Sequence, residues 1–112
     1  MLLNAQASRS WHPTPYAGIE YSWLWRNPQG GGYALLRLDA GASLPRHRHP
    51  GREQIYVVDG RIMVNAQILN AGDHLILAER EAHQVQALTR AQYLAISEKE
   101  GVTLLPSEDT PD

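Results

Sequence analysis

Short apolar runs alternate with polar and glycine-rich turns along most of the chain. The runs are IEYSWLWR (19–26), YALLRLD (33–39), EQIYVV (53–58), RIMVN (61–65), AQIL (66–69), HLILA (74–78), HQVQAL (83–88) and QYLAISE (92–98). No segment of helical length repeats its apolar positions at the 3.6-residue period of an amphipathic helix. Many short strands separated by turn signals are typical of a sandwich or small barrel, so we expect an all-β barrel.

A pair of turn residues, Asp59-Gly60, separates EQIYVV from RIMVN. Two-residue hairpin turns that match strand twist need positive φ at both central positions, and Asp-Gly is a favoured pair there. The sequence therefore predicts that these two strands are antiparallel neighbours.

Some strands are apolar on both faces. In YALLRLD, the two-residue period places Leu36 and Leu38 on one side and Leu35 on the other. One face lines the barrel, and the other needs a cover. The aromatic residues near the N-terminus can supply it, and so can a second copy of the chain, which predicts a homodimer. These aromatics are Trp11, Tyr16, Tyr21, Trp23 and Trp25.

Composition narrows the function classes. A length of 112 residues fits a single domain, and a net charge of −2 gives no reason to expect nucleic acid or an anionic membrane as partner. We expect a small-molecule ligand instead. There is no cysteine, which excludes disulfides and thiolate metal sites, so any metal has nitrogen and oxygen ligands. The N-terminus has no secretory pattern and no run reaches membrane-spanning length, so the expected location is the cytoplasm.

Candidate metal ligands concentrate in the stretch HRHPGRE. His47 and His49 are two residues apart and point to the same side of a strand, and the Pro-Gly break before Glu53 can turn its carboxylate toward them. A fourth ligand must come from elsewhere, and His83, at the start of HQVQAL, is the best candidate. Three imidazoles and one carboxylate suit a divalent transition metal.

The same stretch resembles the first motif of the cupin family, G-x5-H-x-H-x3-E-x6-G. Every fixed position is matched, by Gly41, His47, His49, Glu53 and Gly60. The phrase GASLPRHRHPGREQIYVVDG is most similar to cupins related to ChrR-type anti-sigma factors and to acetylacetone-cleaving dioxygenases.

The second cupin motif, G-x5-P-x-G-x2-H-x3-N, is matched only in part. Gly72 and His83 have the right separation, but Ala78, Arg80 and Ala87 replace the proline, the second glycine and the asparagine. The resemblance covers residues 18–98 and implies a double-stranded β-helix, a jelly-roll-like barrel with the metal in its mouth. Residues 1–17 are then an N-terminal arm, serving as edge strand or dimer contact, and residues 99–112 a C-terminal tail. The resemblance also makes the three histidines and Glu53 the metal ligands.

The two-residue period also places candidate pocket residues. Ile55 and Val57 share a face with Glu53, and Val85 shares one with His83, which predicts an apolar wall for a substrate that chelates through oxygen. Arg37 is a further candidate for substrate contact. Arg46 and Arg48 alternate with the histidines and so point away from the site.

The predicted function is that of a metal-binding cupin, with a dioxygenase-like enzyme as the first hypothesis. The metal is iron, manganese, nickel or zinc, because similar ligands accept all four. A sensory cupin that binds a small molecule without turnover is an alternative. ChrR-like regulators also carry a cysteine-using zinc domain, which this cysteine-free chain is expected to lack. A sugar-phosphate isomerase or lyase is the third hypothesis, although the outward arginines do not favour it.

Overall fold

The structure, a computed structural model, describes residues 1–106 and consists of β-strands apart from one 3-10 helix at Gln6–Ser8. The strands are β1 (His12–Pro13), β2 (Ile19–Arg26), β3 (Gly32–Leu38), β4 (Ser43–Arg48), β5 (Glu53–Asp59), β6 (Arg61–Val64), β7 (Gln67–Asn70), β8 (His74–Leu77), β9 (His83–Ala87), β10 (Ala91–Ser97) and β11 (Thr103–Leu104). Every pairing between them is antiparallel.

The strands form two sheets that face each other. The six-stranded sheet has the order β1-β2-β3-β10-β5-β8, and the five-stranded sheet has the order β11-β4-β9-β6-β7. Between them lies one core, to which β2, β3 and β5 to β10 all contribute buried apolar side chains. The predicted all-β, jelly-roll-like single domain is confirmed.

Alternating residues decide which side of each strand enters the core. In β9, His83, Val85 and Ala87 are buried, whereas Gln84 and Gln86 are exposed. β5 follows the same rule, since its buried positions begin with Glu53 and recur every second residue. The two-residue alternation of side chains along each strand thus places the apolar residues in the core and also directs His83 and Glu53, at the starts of β9 and β5, to the same side.

The predicted hairpin at Asp59-Gly60 is wrong. β5 pairs with β10 and β8, whereas β6 pairs with β9 and β7, so the chain crosses from one sheet to the other at this point. Gly60 has a φ of +76°, but Asp59 does not adopt positive φ. A Cβ on Gly60 would lie 2.1 Å from the carbonyl oxygen of Arg90. The glycine is therefore required by a sheet-to-sheet corner, which shares the Asp-Gly signature of a hairpin.

A two-residue hairpin does occur one strand later, at Asn65-Ala66 between β6 and β7. Asn65 has a φ of +52°, and asparagine tolerates this left-handed conformation better than most residues. Its side chain also joins the turn to β9, because Oδ1 accepts from the Gln84 amide and Nδ2 donates to the Ala82 carbonyl.

The outer faces of the two sheets differ in character. Trp25, Tyr33, Ile96, Gln54 and Ile76 form a row across the outer face of the six-stranded sheet. The neighbouring row contains Leu94 and Tyr56. The outer face of the five-stranded sheet contains Ser43, Gln84 and Gln86, with Met63 and Ile68 as its apolar members.

Both chain ends contain short strands. β1, within residues 1–17, pairs with β2 at the edge of its sheet, and β11, within residues 99–112, pairs with β4. The proposed division at residues 17 and 98 stays a prediction, and residues 107–112 lie outside the described part. No helix within residues 1–106 is long and apolar enough to cross a membrane.

Candidate metal centre

Four polar side chains from both sheets meet at one end of the barrel. His47 is on β4, His49 follows that strand, His83 begins β9 and Glu53 begins β5. Each offers one ligand atom, and these four atoms all lie within 4.8 Å of one another. His47 and His83 face each other across the β4–β9 pairing, with ring centroids 4.1 Å apart. Three of the four residues are buried and His49 is half-buried.

The backbone fixes which nitrogen each histidine presents to the cluster. Nδ1 of His47 lies 2.7 Å from the Pro45 carbonyl oxygen, and Nδ1 of His49 lies 3.0 Å from that of Gly101. Nδ1 of His83 makes a longer contact with the Glu81 carbonyl, at 3.5 Å. Carbonyl oxygens only accept hydrogen bonds, so each Nδ1 must be the donor. In the neutral rings, all three Nε2 lone pairs are then available to the cluster.

Glu53 completes this set with two acceptor oxygens. Its Oε2 lies 2.5 Å from His49 Nε2 and 3.6 Å from His83 Nε2. Within the described residues, His49 Nε2 and Glu53 Oε2 are buried and have no hydrogen-bond partner other than each other. At this distance an imidazole nitrogen and a carboxylate oxygen hold a cation between them, either a proton or a metal ion. Three neutral imidazoles and one carboxylate are a suitable donor set for a divalent transition metal, so the residues fit the predicted ion.

Burial favours the neutral form of two of the imidazoles. It lowers the pKa of His47, and it lowers the pKa of His83 to about 4. Burial acts in the same direction on His49, but the hydrogen bond and the charge of Glu53 outweigh it and raise the pKa of that ring. A bound cation would replace the proton that His49 and Glu53 otherwise compete for.

The backbone of His49 is held by the turn that departs from the second cupin motif. The amide of Arg80 donates to the His49 carbonyl at 2.8 Å, and Arg80 has a φ of +62°. Arginine thus adopts the left-handed conformation at the position where the motif has glycine. The amide of Ala78, which replaces the motif proline, donates to Glu81 Oε1 at 2.9 Å. These two hydrogen bonds hold the turn, although its residues differ from those of the motif.

Beneath the cluster lies a closed apolar floor. Ile55, Val57 and Val85, which the sequence assigned to a substrate pocket, are 0–1% exposed and belong to the core. Tyr93 lies opposite Val57 on β10, and burial, together with the nearby charge of Glu53, raises its pKa. The three aliphatic side chains are therefore buried core residues, and their contact with a substrate stays a prediction.

Arg37 is far from the cluster. It lies on the outer face of the six-stranded sheet near the end of β3, where Nη2 is 2.9 Å from Glu20 Oε1. Its guanidinium also lies 4.2 Å from the centre of the Trp11 ring. These contacts line a separate open cavity of about 940 Å³ beside the N-terminal arm. The structure therefore does not bring Arg37 together with the metal ligands.

The other arginines also lie outside the cluster. Arg48 is exposed, Nη1 of Arg46 donates to the Pro106 carbonyl, and Nε of Arg52 contacts Glu98 at 2.9 Å. His74 is exposed on β8, outside the cluster, and contacts Gln54 Oε1.

Sequence reasoning missed the groups that orient the ligands, above all the carbonyl of Gly101 and the amide of Arg80. Both are backbone groups, so no residue type signals them. The replacement of the motif glycine by Arg80 marked this position as unusual, but it did not indicate that the Arg80 amide binds the His49 carbonyl.

A double-sheet barrel with three histidines and a glutamate at one end defines the cupin class. The family profile described as the ChrR cupin-like domain matches residues 2–102. The chain therefore belongs to the ChrR cupin-like family, as the similarity of the phrase GASLPRHRHPGREQIYVVDG predicted. No curated protein matches the sequence at a significant level.

Several solved structures share the fold. An acetylacetone dioxygenase from Acinetobacter johnsonii is 15% identical with a TM-score of 0.78, over 98% of this chain and 80% of that one. The polyketide cyclase RemF from Streptomyces resistomycificus is 16% identical with a TM-score of 0.81, over 97% and 89%. A chain in the complex of SigE with the anti-sigma factor ChrR from Rhodobacter sphaeroides is 22% identical with a TM-score of 0.74, over 84% and 52%. At these identities the likeness concerns the fold alone.

Proposed function

We propose that the protein is a metal-dependent oxygenase that acts on a small substrate chelating through two oxygen atoms. The observation that carries the proposal is the orientation of the three histidines, whose Nδ1 atoms all face backbone carbonyls. A divalent transition metal, when bound, supplies Lewis-acid chemistry and, if it is redox-active iron, electron transfer to dioxygen. His47, His49, Glu53 and His83 would hold it.

The remaining features favour a weakly polar substrate. The arginines near the candidate ligands point outward or bind carbonyls and carboxylates, so they offer no cationic group to a sugar phosphate, and the core residues next to the cluster, Ile55, Val57 and Val85, are aliphatic. Glu53 is the anionic member of the cluster and is the group that would accept a proton from an acidic C–H bond. β-Diketones combine such a C–H bond with two chelating oxygens. The fold shared with an acetylacetone dioxygenase supports this substrate class.

The first test is elemental analysis of protein purified under low-metal conditions and then reloaded. We expect one metal ion per chain in the natural sequence and none in a His49→Ala variant that keeps its far-UV circular dichroism spectrum. His74→Ala is the matched control, because His74 is an exposed histidine outside the cluster. Equal metal content in the natural and His49→Ala proteins would refute the site.

The second test is oxygen consumption by iron-loaded protein with a panel of β-diketones and flavonols. We expect uptake with at least one substrate, and none after replacing iron with zinc, which has no redox chemistry. Activity that survives with zinc would point to an isomerase or lyase instead. Absence of uptake with every compound would overturn the oxygenase proposal.

A non-catalytic sensory domain is the second candidate, because the fold is shared with a structure of the anti-sigma factor ChrR in complex with SigE. A panel compound that binds the metal-loaded protein tightly, without product formation or oxygen uptake, would favour this function. Like the oxygenase, it would work in the cytoplasm.

We also propose that two copies pair through the outer face of the six-stranded sheet. Tyr33, Tyr56 and Ile76 are 43–55% exposed there, and Trp25 adds a ring 5.4 Å from that of Tyr33. Such side chains expose about 500 Å² per copy, so a symmetric pair would bury about 1,000 Å², the lower range for a specific interface. We expect a dimer by light scattering and a monomer for Tyr56→Arg, with Gln84→Arg on the polar face as control. A monomeric natural protein at micromolar concentration would refute this pairing.

A further inference from the structure

The segment 98–106, which we call the C-terminal strap, runs beside residues 46–53, which we call the metal-ligand segment because it contains His47, His49 and Glu53. Its strand β11 pairs with β4 at Arg48 and His47, and the Leu105 amide donates to the Arg46 carbonyl at 3.0 Å. At its other end, the Glu98 amide donates to the Arg52 carbonyl at 3.1 Å. The strap is thus hydrogen-bonded to both ends of the metal-ligand segment, which contains three of the four candidate ligands.

The strap is also tied to the opposite sheet. Nη2 of Arg26 on β2 lies 2.6 Å from Glu100 Oε1, and Lys99 packs against Gly51, where a Cβ would lie 3.0 Å from its side chain. Because the ion pair is exposed, the backbone bonds at Glu98 and at β11, on either side of Gly101, do most to hold this segment. The position of the Gly101 carbonyl is therefore set by the folded strap and not by a freely moving chain end.

His49 depends on the strap in a way that the other two histidines do not. His47 and His83 each direct Nδ1 to a carbonyl two residues earlier in the chain, so local backbone geometry orients them. His49 lies beyond the end of β4 and directs Nδ1 to Gly101, 52 residues away. Its side chain has no local carbonyl contact that would substitute for this one.

We infer that the Gly101 carbonyl is a positioning group of the metal centre, because it accepts from Nδ1 of His49 and so directs Nε2 of that ring toward Glu53. The inference rests on the metal centre of the proposed function but is independent of the reaction there. Hydrogen bonds of this kind fix the ring orientation of a ligand, and their loss costs about 10- to 100-fold in metal affinity. The strap is then part of the site, not an appendage.

Gly101→Ala is the variant that tests this role. Gly101 has a φ of +116°, which an alanine rarely adopts, whereas an added Cβ meets only ordinary contacts with Pro50, the nearest at 3.6 Å. The substitution therefore moves the backbone carbonyl without a steric clash. Gly72→Ala is the matched control, since Gly72 has a φ of +92° and open space around it in the turn between β7 and β8.

The readout is the dissociation constant for Co²⁺, followed by its visible absorption, in the full chain. We expect Gly101→Ala to bind Co²⁺ about 10- to 100-fold more weakly than the natural protein, and Gly72→Ala to bind it equally well despite a similar loss of thermal stability. Unchanged affinity in Gly101→Ala would overturn the positioning role and leave the metal centre intact. A natural protein that binds no Co²⁺ would overturn both.

The tautomer of His49 gives a second measurement that needs no variant. Long-range ¹H–¹⁵N NMR correlations of the Zn²⁺-loaded protein distinguish a ring bound through Nε2, with its proton on Nδ1, from a ring bound through Nδ1. We expect His49 to bind Zn²⁺ through Nε2 and to keep its proton on Nδ1. Binding through Nδ1 would overturn the inference, even if Gly101→Ala does not fold.

Discussion

The two glycines of the first cupin motif should respond very differently to substitution by alanine. Gly41 and Gly60 both have positive φ, +85° and +76°. A left-handed conformation costs a non-glycine residue about 1–2 kcal/mol, and this cost is common to both variants. Gly41 has no atom within 4 Å of an added Cβ, whereas Gly60 would place it 2.1 Å from the Arg90 carbonyl oxygen and 2.8 Å from the Ala91 Cα. These neighbours are backbone atoms of β10 and its approach, so they cannot rotate away.

Overpacking of this kind costs about 1–3 kcal/mol beyond the φ penalty. Gly60→Ala should therefore be less stable than Gly41→Ala by about 1–3 kcal/mol, or about 4–12 °C in melting temperature for a domain of this size. Urea unfolding of the metal-free proteins, followed by tryptophan fluorescence, measures the difference in the free energy of unfolding. Equal losses in the two variants would refute the tight sheet-to-sheet corner at Gly60, since only the shared φ penalty would then remain.

Three further outcomes follow from the metal centre and its turn. Glu53→Gln should weaken Co²⁺ binding by more than about 100-fold, because loss of a mere hydrogen bond to a ligand already costs about 10- to 100-fold in metal affinity. The control is Glu79→Gln, since Glu79 is exposed. Equal affinities of the two variants in a Co²⁺ titration would contradict this prediction. Arg80→Gly should raise the free energy of unfolding by about 0.5–1 kcal/mol. Glycine removes the cost of the left-handed conformation that Arg80 adopts, and this gain is larger than the entropy that glycine adds to the unfolded chain. A loss of stability in urea would contradict this prediction. Co²⁺ at 100 times its dissociation constant should stabilise the protein by about 2.7 kcal/mol, or about 11 °C, in a thermal scan. A chelator should reverse the gain, and a similar gain in His47→Ala would contradict binding at this site.

The sequence predicted the strands and most of the candidate metal site because both follow from short-range periodicity. His47 lies on β4 and Glu53 begins a strand whose alternate positions are apolar, so local geometry directs both inward. His49 lies beyond the end of β4, and its ring also depends on the distant Gly101 carbonyl. His83 required more, since its meeting with His47 depends on the pairing of β4 with β9. The family motif supplied that long-range information.

The misplaced hairpin and the overlooked strap have a different cause. Asp59-Gly60 suits a hairpin and a corner equally well, and only the partners of β5 and β6 distinguish the two. The carbonyl of Gly101 has no side chain through which a pattern could reveal it. Arg37 was a candidate by residue type, but its position on the outer face near the far end of β3 pairs it with Glu20 instead.

The ligands do not all belong to one sheet. His47 and His83 are on strands of the five-stranded sheet, whereas Glu53 is on the six-stranded sheet. A coordinated ion would act as a cross-link between the two layers, at the end opposite the Gly60 corner where the chain itself joins them. Amide hydrogen exchange should then slow on metal loading in β5 as well as in β4 and β9, because the two sheets would open together and not separately.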